Sequence, residues 1–201
     1  GQAARSVKVG DSINEGDIIR TKSDSKAEIT FLDGNILRLA QSTRVETAEY
    51  ITGIARRSGK FSLFRGKIQN IVKAAIGAAF GYGKNNRYEV HTPTAVIGVR
   101  GTDFFVYHTE GISGSTFKEG SGYVYNLNRP DQILEITAGQ SMEVRGPDLL
   151  PVIRPTNEFE LNNIENETSP QESEVTNNSG GSSVSFGDLL KRGLDDETTE
   201  E

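Results

Sequence analysis

Cysteine and tryptophan are absent from the 201 residues, methionine occurs once and histidine twice. Without cysteine there is no disulfide, no thiolate nucleophile and no thiolate-ligated zinc or iron, and the redox compartment is left open. No apolar run approaches the ~20 residues that a membrane-spanning helix needs. The opening residues, GQAAR, show no signal-peptide pattern. Hydrophobic residues make up 34%, little for a chain packed throughout, so part of it is expected to lie outside any core. The two histidines, His91 and His108, have no serine motif, metal-ligand spacing or phosphate-binding loop beside them. Each reads as an ordinary strand residue rather than a base, which favours a module that is not an enzyme and carries no cofactor or metal.

Positive charge is scarce in the last part of the chain. Residues 156–201 hold 12 acidic side chains against 2 basic, whereas residues 1–155 hold 20 basic against 16 acidic. The overall net charge of −6 is therefore a mildly basic body followed by an acidic, low-complexity tail.

What the body does contain is short extended runs separated by turns. Ala27, Ile29 and Phe31 alternate with Glu28 and Thr30, and Asp33-Gly34 supplies a tight hairpin before Ile36, Leu37 and Leu39. Asp11, Asn14 and Asp17 resemble a calcium loop loosely, but the glycine and terminal glutamate of such a loop are missing from the required offsets, and turn capping explains them as well. Strand-like residues 60–64 lead into Ile68, Ile71, Val72, Ala75, Ile76, Ala79 and Phe80, spaced as on one face of a short helix that Gly81 and Gly83 end. Glycines at 111, 114, 120 and 122 suggest a further hairpin, and two strands flank Ala138-Gly139. Gly146, Pro147, Pro151 and Pro155 then close the domain.

The middle of the chain is organised around YEVHTPTAVIGVRGTDFFVY, residues 88–107. It reads as two extended runs, 88–92 and 103–107, joined by a sharp crossover built on Pro93, Gly98 and Gly101. Arg100 is the only charge between the glycines. If covered, its guanidinium is expected to fork onto carbonyls or onto Asp103 as a brace.

The segment TPTAVIGVRGTDF, with Thr92, Pro93, Gly98, Arg100, Gly101 and Thr102, resembles the signature of the FecR-like domain. Residues 10–39 are similar to that family's opening pattern, and ILEITAGQS, residues 133–141, to its closing strand and turn, so the resemblance covers roughly residues 7–145. It implies the sensor domain of an iron-dicitrate-type signalling system, in the periplasm or beyond it. Family members commonly join this domain to a cytoplasmic anti-sigma segment, a membrane helix and a small receptor-facing domain, none of which is visible here. The expectation is a stand-alone exported form. Only six residues precede Val7, where the family usually has another β segment, so an unpaired strand edge is expected as well.

The expected architecture is an all-β sandwich or roll of short, mainly antiparallel strands over residues 1–155, with one short amphipathic helix, followed by the tail at 156–201. Three partner surfaces follow. The first is a protein-binding or scaffolding module using a strand edge or sheet face, with the apolar tail island at residues 184–194 (Val184, Phe186, Leu189 and Leu190 among them) as a second contact. The second is a subunit of an extended envelope or surface assembly. The third is recognition of an anionic glycan or lipid by the acid-free basic stretch containing Arg56, Arg57, Lys60, Lys73 and Arg87. Nucleic acid is a poor partner, because that stretch lacks interleaved aromatics for stacking and the whole chain is acidic.

Overall fold

A computed structural model of the chain describes residues 4–53, 57–73 and 87–170. In chain order the described strands are β1 (Ile18–Arg20), β2 (Ala27–Thr30), β3 (Ile36–Leu39), β4 (Arg44–Thr52), β5 (Arg57–Ile71), β6 (Arg87–His91) and β7 (Ala95–Val99). They continue as β8 (Asp103–Thr109), β9 (Ile112–Glu119), β10 (Ser121–Asn126), β11 (Leu134–Thr137), β12 (Gln140–Val144) and β13 (Val152–Pro155), and one helix follows, α1 (Glu158–Thr168).

The fold turns on β5, whose 15 residues serve two sheets. Its first half pairs antiparallel with β4 and parallel with β6, in a sheet ordered β1-β4-β5-β6-β7-β10-β11. Its second half pairs with β3 and β8, in a sheet ordered β2-β3-β5-β8-β9-β12-β13. The change of direction falls at Gly66, where φ is +95°. Just before it the register with β4 slips from Arg44↔Arg65 to Val45↔Leu63, which leaves Phe64 as an extra residue in a β-bulge, half exposed beneath the Arg44 guanidinium. Among the described residues the β5–β6 pair is the one parallel pairing.

The two sheets close on a common apolar core. Alternate residues of each strand point into it, as Leu37 and Leu39, Phe61 and Leu63, and Phe104 and Val106 do. A run of rings crosses its middle: Phe31 stacks on Tyr50 at 4.0 Å, and Phe61, Tyr88, Phe104 and Phe117 continue the series at 5.3–6.3 Å.

Four expectations are corrected. The signature is three strands rather than two runs joined by a crossover: β6, a turn at residues 92–94, β7, a turn at 100–102, then β8. Residues 68–71, expected to open a helix, continue β5, because β3 and β8 flank them on both sides and satisfy their backbone groups along the ladder. The rest of that expected helix, residues 74–80, lies outside the described residues. The prolines after Gly146 do not end the ladder: Val152–Pro155 adds an edge strand to β12, a place where a missing N–H is tolerated. Finally, residues 158–168 of the expected low-complexity tail are helical.

Helix α1 covers the outer face of the second sheet. Arg38, Gln69, Phe105, Thr116, Ser141 and Arg154 align across that face, and its central members from Gln69 to Ser141 are buried although they point away from the core. Asn157 caps the helix by accepting a hydrogen bond from the Phe159 N–H, with Glu158 and Glu160 in the first turn where the dipole favours acids. Arg154 holds Glu160 through two hydrogen bonds of 2.8 and 3.0 Å, Lys118 pairs with Glu165, Lys67 pairs with Glu167, and Lys26 donates to the Asn166 carbonyl at 2.7 Å. These contacts run from β13 across β9 and β5 to the start of β2. The helix buries little apolar surface of its own beyond Ile164, which is why no hydrophobic stripe betrays it in the sequence.

Candidate functional site

The first sheet carries no such cover among the described residues. Glu49, Lys60, Glu89, Gly98, Tyr123 and Glu135 align across its outer face, and His91, Val96 and Tyr125 form the next row. Tyr123 lies flat over Gly98, where a Cβ would fall 2.0 Å from its ring, and its hydroxyl donates to Glu89 Oε1 at 2.6 Å. The second sheet repeats the device: Tyr107 lies over Gly114 and donates to Glu143 at 2.9 Å. In both, a glycine lets a tyrosine ring cross its strand to a carboxylate on the strand beyond. Gly98 is therefore needed for space inside a strand rather than for a turn. Tyr123 and Tyr125 stand nearly parallel, 6.3 Å apart, on this open face.

A cleft opens at the end of the sheet where β5 and β6 begin. It encloses about 70 Å³ and is lined by Arg57, Lys73, Arg87 and Arg100 around Tyr50 and Tyr88, with Asp33 the single carboxylate among the described residues that line it. Asp33 accepts from the Tyr50 hydroxyl at 2.8 Å and from Asn35 Nδ2 at 3.1 Å, and Asn35 Oδ1 accepts from the Lys73 N–H at 2.9 Å. Burial and the neighbouring Asp33 push the Tyr50 hydroxyl well above its ordinary value, so it remains a donor. A groove of about 390 Å³ continues past Arg87, Val99 and Arg100 to Tyr123 and Glu135.

The structure divides the residues singled out from sequence. Arg57, Lys73 and Arg87 meet in the cleft, and Arg100 joins them. Arg100 is exposed and makes no hydrogen bond or ion pair with a described residue, so it is not a brace; Asp103 instead accepts from Gln69 Nε2 at 2.9 Å. Lys60 sits apart on the open sheet face. Thr92 is buried and ties its turn to Ala95, Thr102 donates to the Ser121 carbonyl at 2.9 Å, Pro93 occupies the turn after β6, and Gly101 turns the chain at φ +69°. Arg56, Val184, Phe186, Leu189 and Leu190 lie outside the described residues. Asp11 accepts from the Arg5 guanidinium and the Lys8 N–H, and Asp17 from the Asn14 N–H, the geometry of turn capping. Sequence reasoning took Asp33 only as a hairpin residue and passed over Asn35 and Tyr50; the joint role of the three depends on a hairpin meeting β4 and leaves no local pattern.

Over residues 17–121, just over half of its length, the chain matches the family model described as FecR protein. It belongs to the FecR family. No curated protein matches it. Among solved structures, two crystal structures of a candidate anti-sigma factor from Parabacteroides distasonis each superpose with a TM-score of 0.56 at 15% identity. They cover 73% of this chain and 63% and 62% of theirs, so the FecR-family chain spans less than two thirds of that protein's length. At this identity the likeness is one of fold.

The histidines of this FecR-family domain are engaged structurally. His108 is buried, its Nδ1 2.9 Å from the Ser113 hydroxyl, which in turn donates to Thr92 at 2.7 Å, and burial lowers its pKa. His91 Nε2 lies 2.8 Å from Glu89 Oε2. Hydrogen bonds from His91 and then from Tyr123 outweigh burial and hold Glu89 at about 2, against an ordinary value of 4.5. A depressed carboxylate contributes its full stabilisation above the unfolded value and loses it as pH falls towards the folded one. Glu89→Gln is accordingly expected to lower the Tm at neutral pH, and the gap to the wild type to close between about pH 4.5 and 2. Thermal melts across that range check this, and a gap that stays constant down to pH 2 would show that the Glu89 charge is not its source.

Proposed function

We propose that this domain is a non-catalytic recognition module of a bacterial envelope signalling system, and that it binds a protein partner through the open outer face of the first sheet. The observation that carries the reading is the asymmetry of the two outer faces, one sealed by α1 and the other presenting Tyr123 and Tyr125 among alternating charges. Tyrosines that combine ring area with a hydroxyl are favoured in interfaces, because one group serves both apolar and polar contact at a small entropy cost. Membership of the FecR family supports the envelope and signalling assignments, and the fold shared with the candidate anti-sigma factor is compatible with them. The groups best suited to acid-base chemistry, His91, His108 and Glu89, are held in structural hydrogen bonds, which supports recognition over catalysis.

Crosslinking mass spectrometry on intact cells, followed by affinity measurement with the captured protein, tests the reading. Tyr125 can be truncated without disturbing the bond between Tyr123 and Glu89, so Tyr125→Ala is expected to weaken binding about tenfold or more while leaving the Tm nearly unchanged. Crosslinks concentrated on the edge strand β13, with affinity unaffected by Tyr125→Ala, would move the interface to the sheet edge and refute the face. Sedimentation of the purified chain distinguishes a second protein from self-assembly.

A further inference from the structure

We propose that the cleft lined by Arg57, Lys73, Arg87 and Arg100 is a binding site for the oxyanion group, carboxylate or phosphate, of a small acidic solute. Among the described residues four cationic side chains and one carboxylate line the cleft, and of the four Arg57 has an interaction of its own, which leaves Lys73, Arg87 and Arg100 for the anion. That carboxylate is already engaged: Asp33 Oδ1 accepts from the Tyr50 hydroxyl and from the Asn35 N–H, and Oδ2 from Asn35 Nδ2. These three bonds go to its own hairpin and to β4. Lys73, Arg87 and Arg100 make no side-chain hydrogen bond or ion pair with any described residue. Like charges gathered at a recess bounded by protein repel one another more than they would on an open surface, and a bound anion relieves that repulsion.

Size and shape narrow the ligand. At about 70 Å³ the cleft is of a size to hold an oxyanion head group. Glycine at position 59 lets the two tyrosine rings of the lining pack close to β5: a Cβ there would lie 2.9 Å from the Tyr88 ring and 3.3 Å from that of Tyr50. Arg87 and Arg100 stand where the cleft meets the longer groove that runs to Tyr123 and Glu135, so the body of a ligand held by its anionic end would extend along that groove. Guanidinium groups suit the task, since each presents paired donors that match two oxygens of a carboxylate or phosphate. The charged end of this site lies apart from Tyr125, although the groove reaches Tyr123 on the proposed protein-binding face, so the test leaves both tyrosines intact and reads the small-solute site alone.

The test uses the full-length chain with two probes, malonate and inorganic phosphate, each compared with chloride at matched ionic strength. The expected result is a saturable rise in Tm, and a calorimetric binding isotherm, for at least one probe. Malonate alone points to a carboxylate solute and phosphate alone to a phosphorylated one. Because Arg87 and Arg100 are exposed, Arg87→Ala and Arg100→Ala are expected to keep the fold and to weaken binding about tenfold or more each, the loss typical of a charge-assisted hydrogen bond. Lys22→Ala, an exposed lysine that does not line the cleft, is expected to bind as the wild type does. No saturable effect beyond that of chloride, an isotherm unchanged in Arg100→Ala, or equal weakening by Lys22→Ala would each overturn the proposal.

Discussion

Replacing Gly66 with alanine is expected to remove about 3 kcal/mol or more of folding stability. Two costs combine. At φ +95° a side chain costs roughly 1–2 kcal/mol in backbone strain. The added Cβ would also fall 2.6 Å from the Thr43 Cα and 2.4 Å from its hydroxyl, and a backbone neighbour cannot swing aside as a flexible side chain can. The Thr43 hydroxyl accepts from the Lys67 N–H at 3.1 Å and its backbone N–H donates to Thr21, so moving Thr43 disturbs β1, β4 and β5 together. Gly139→Ala is the control, since φ there is +79° but nothing lies within 4 Å of the added carbon. It is expected to show the strain alone, about 1 kcal/mol. Urea denaturation of both variants measures the difference, and equal losses would show that the contact at Thr43 is relieved without cost.

Ending the chain at Thr156 should destabilise it by about 2–3 kcal/mol relative to a chain ending at Gln171, a fall of roughly 5–10 °C in Tm. The apolar term dominates. Phe105 is fully buried on the outer face of the second sheet, and uncovering a phenylalanine costs roughly 2–3 kcal/mol. The ion pairs of α1 contribute less, because Lys67, Glu167, Lys118 and Glu165 are each about one third or more exposed, and such pairs contribute roughly 0–1 kcal/mol. The two contributions are separable: Glu165→Gln and Glu167→Gln in the intact chain should together lose under about 1 kcal/mol. A double variant as unstable as the truncation would show that charge, not cover, holds the helix.

The strands were legible where one face is core and the other solvent. Ala27, Ile29 and Phe31 alternate with polar residues, Asp33-Gly34 makes a hairpin with Gly34 at φ +80°, and Ala138-Gly139 turns between β11 and β12 as its residues suggest. The reading failed where pattern and period part. Ile68 and Ile71 are three apart and suggest a helix, yet Ile68 is a core residue of β5 and Ile71 lies at its end, half-buried, and with a strand on either side the ladder prevails over spacing. Helix α1 escaped notice for the opposite reason. Its sequence, EFELNNIENET, offers little apolar periodicity, and its acidic residues find their partners only when Arg154 faces Glu160 and Lys118 and Lys67, from two other strands, face Glu165 and Glu167.

The amino-acid order alone determined the family and the all-β character of this protein, because signature residues, turn glycines and alternation are local properties that a linear reading captures. Only the tertiary structure decided which charges meet. Arg57 and Lys60 are three positions apart on one strand, yet the first lines the cleft and the second the open sheet face, while Arg100 comes from a later turn to stand beside Arg57. The alternation of a pleated strand, and the bend at Gly66 that hands β5 from one sheet to the other, set those positions, and neither can be read from charge counted along the chain.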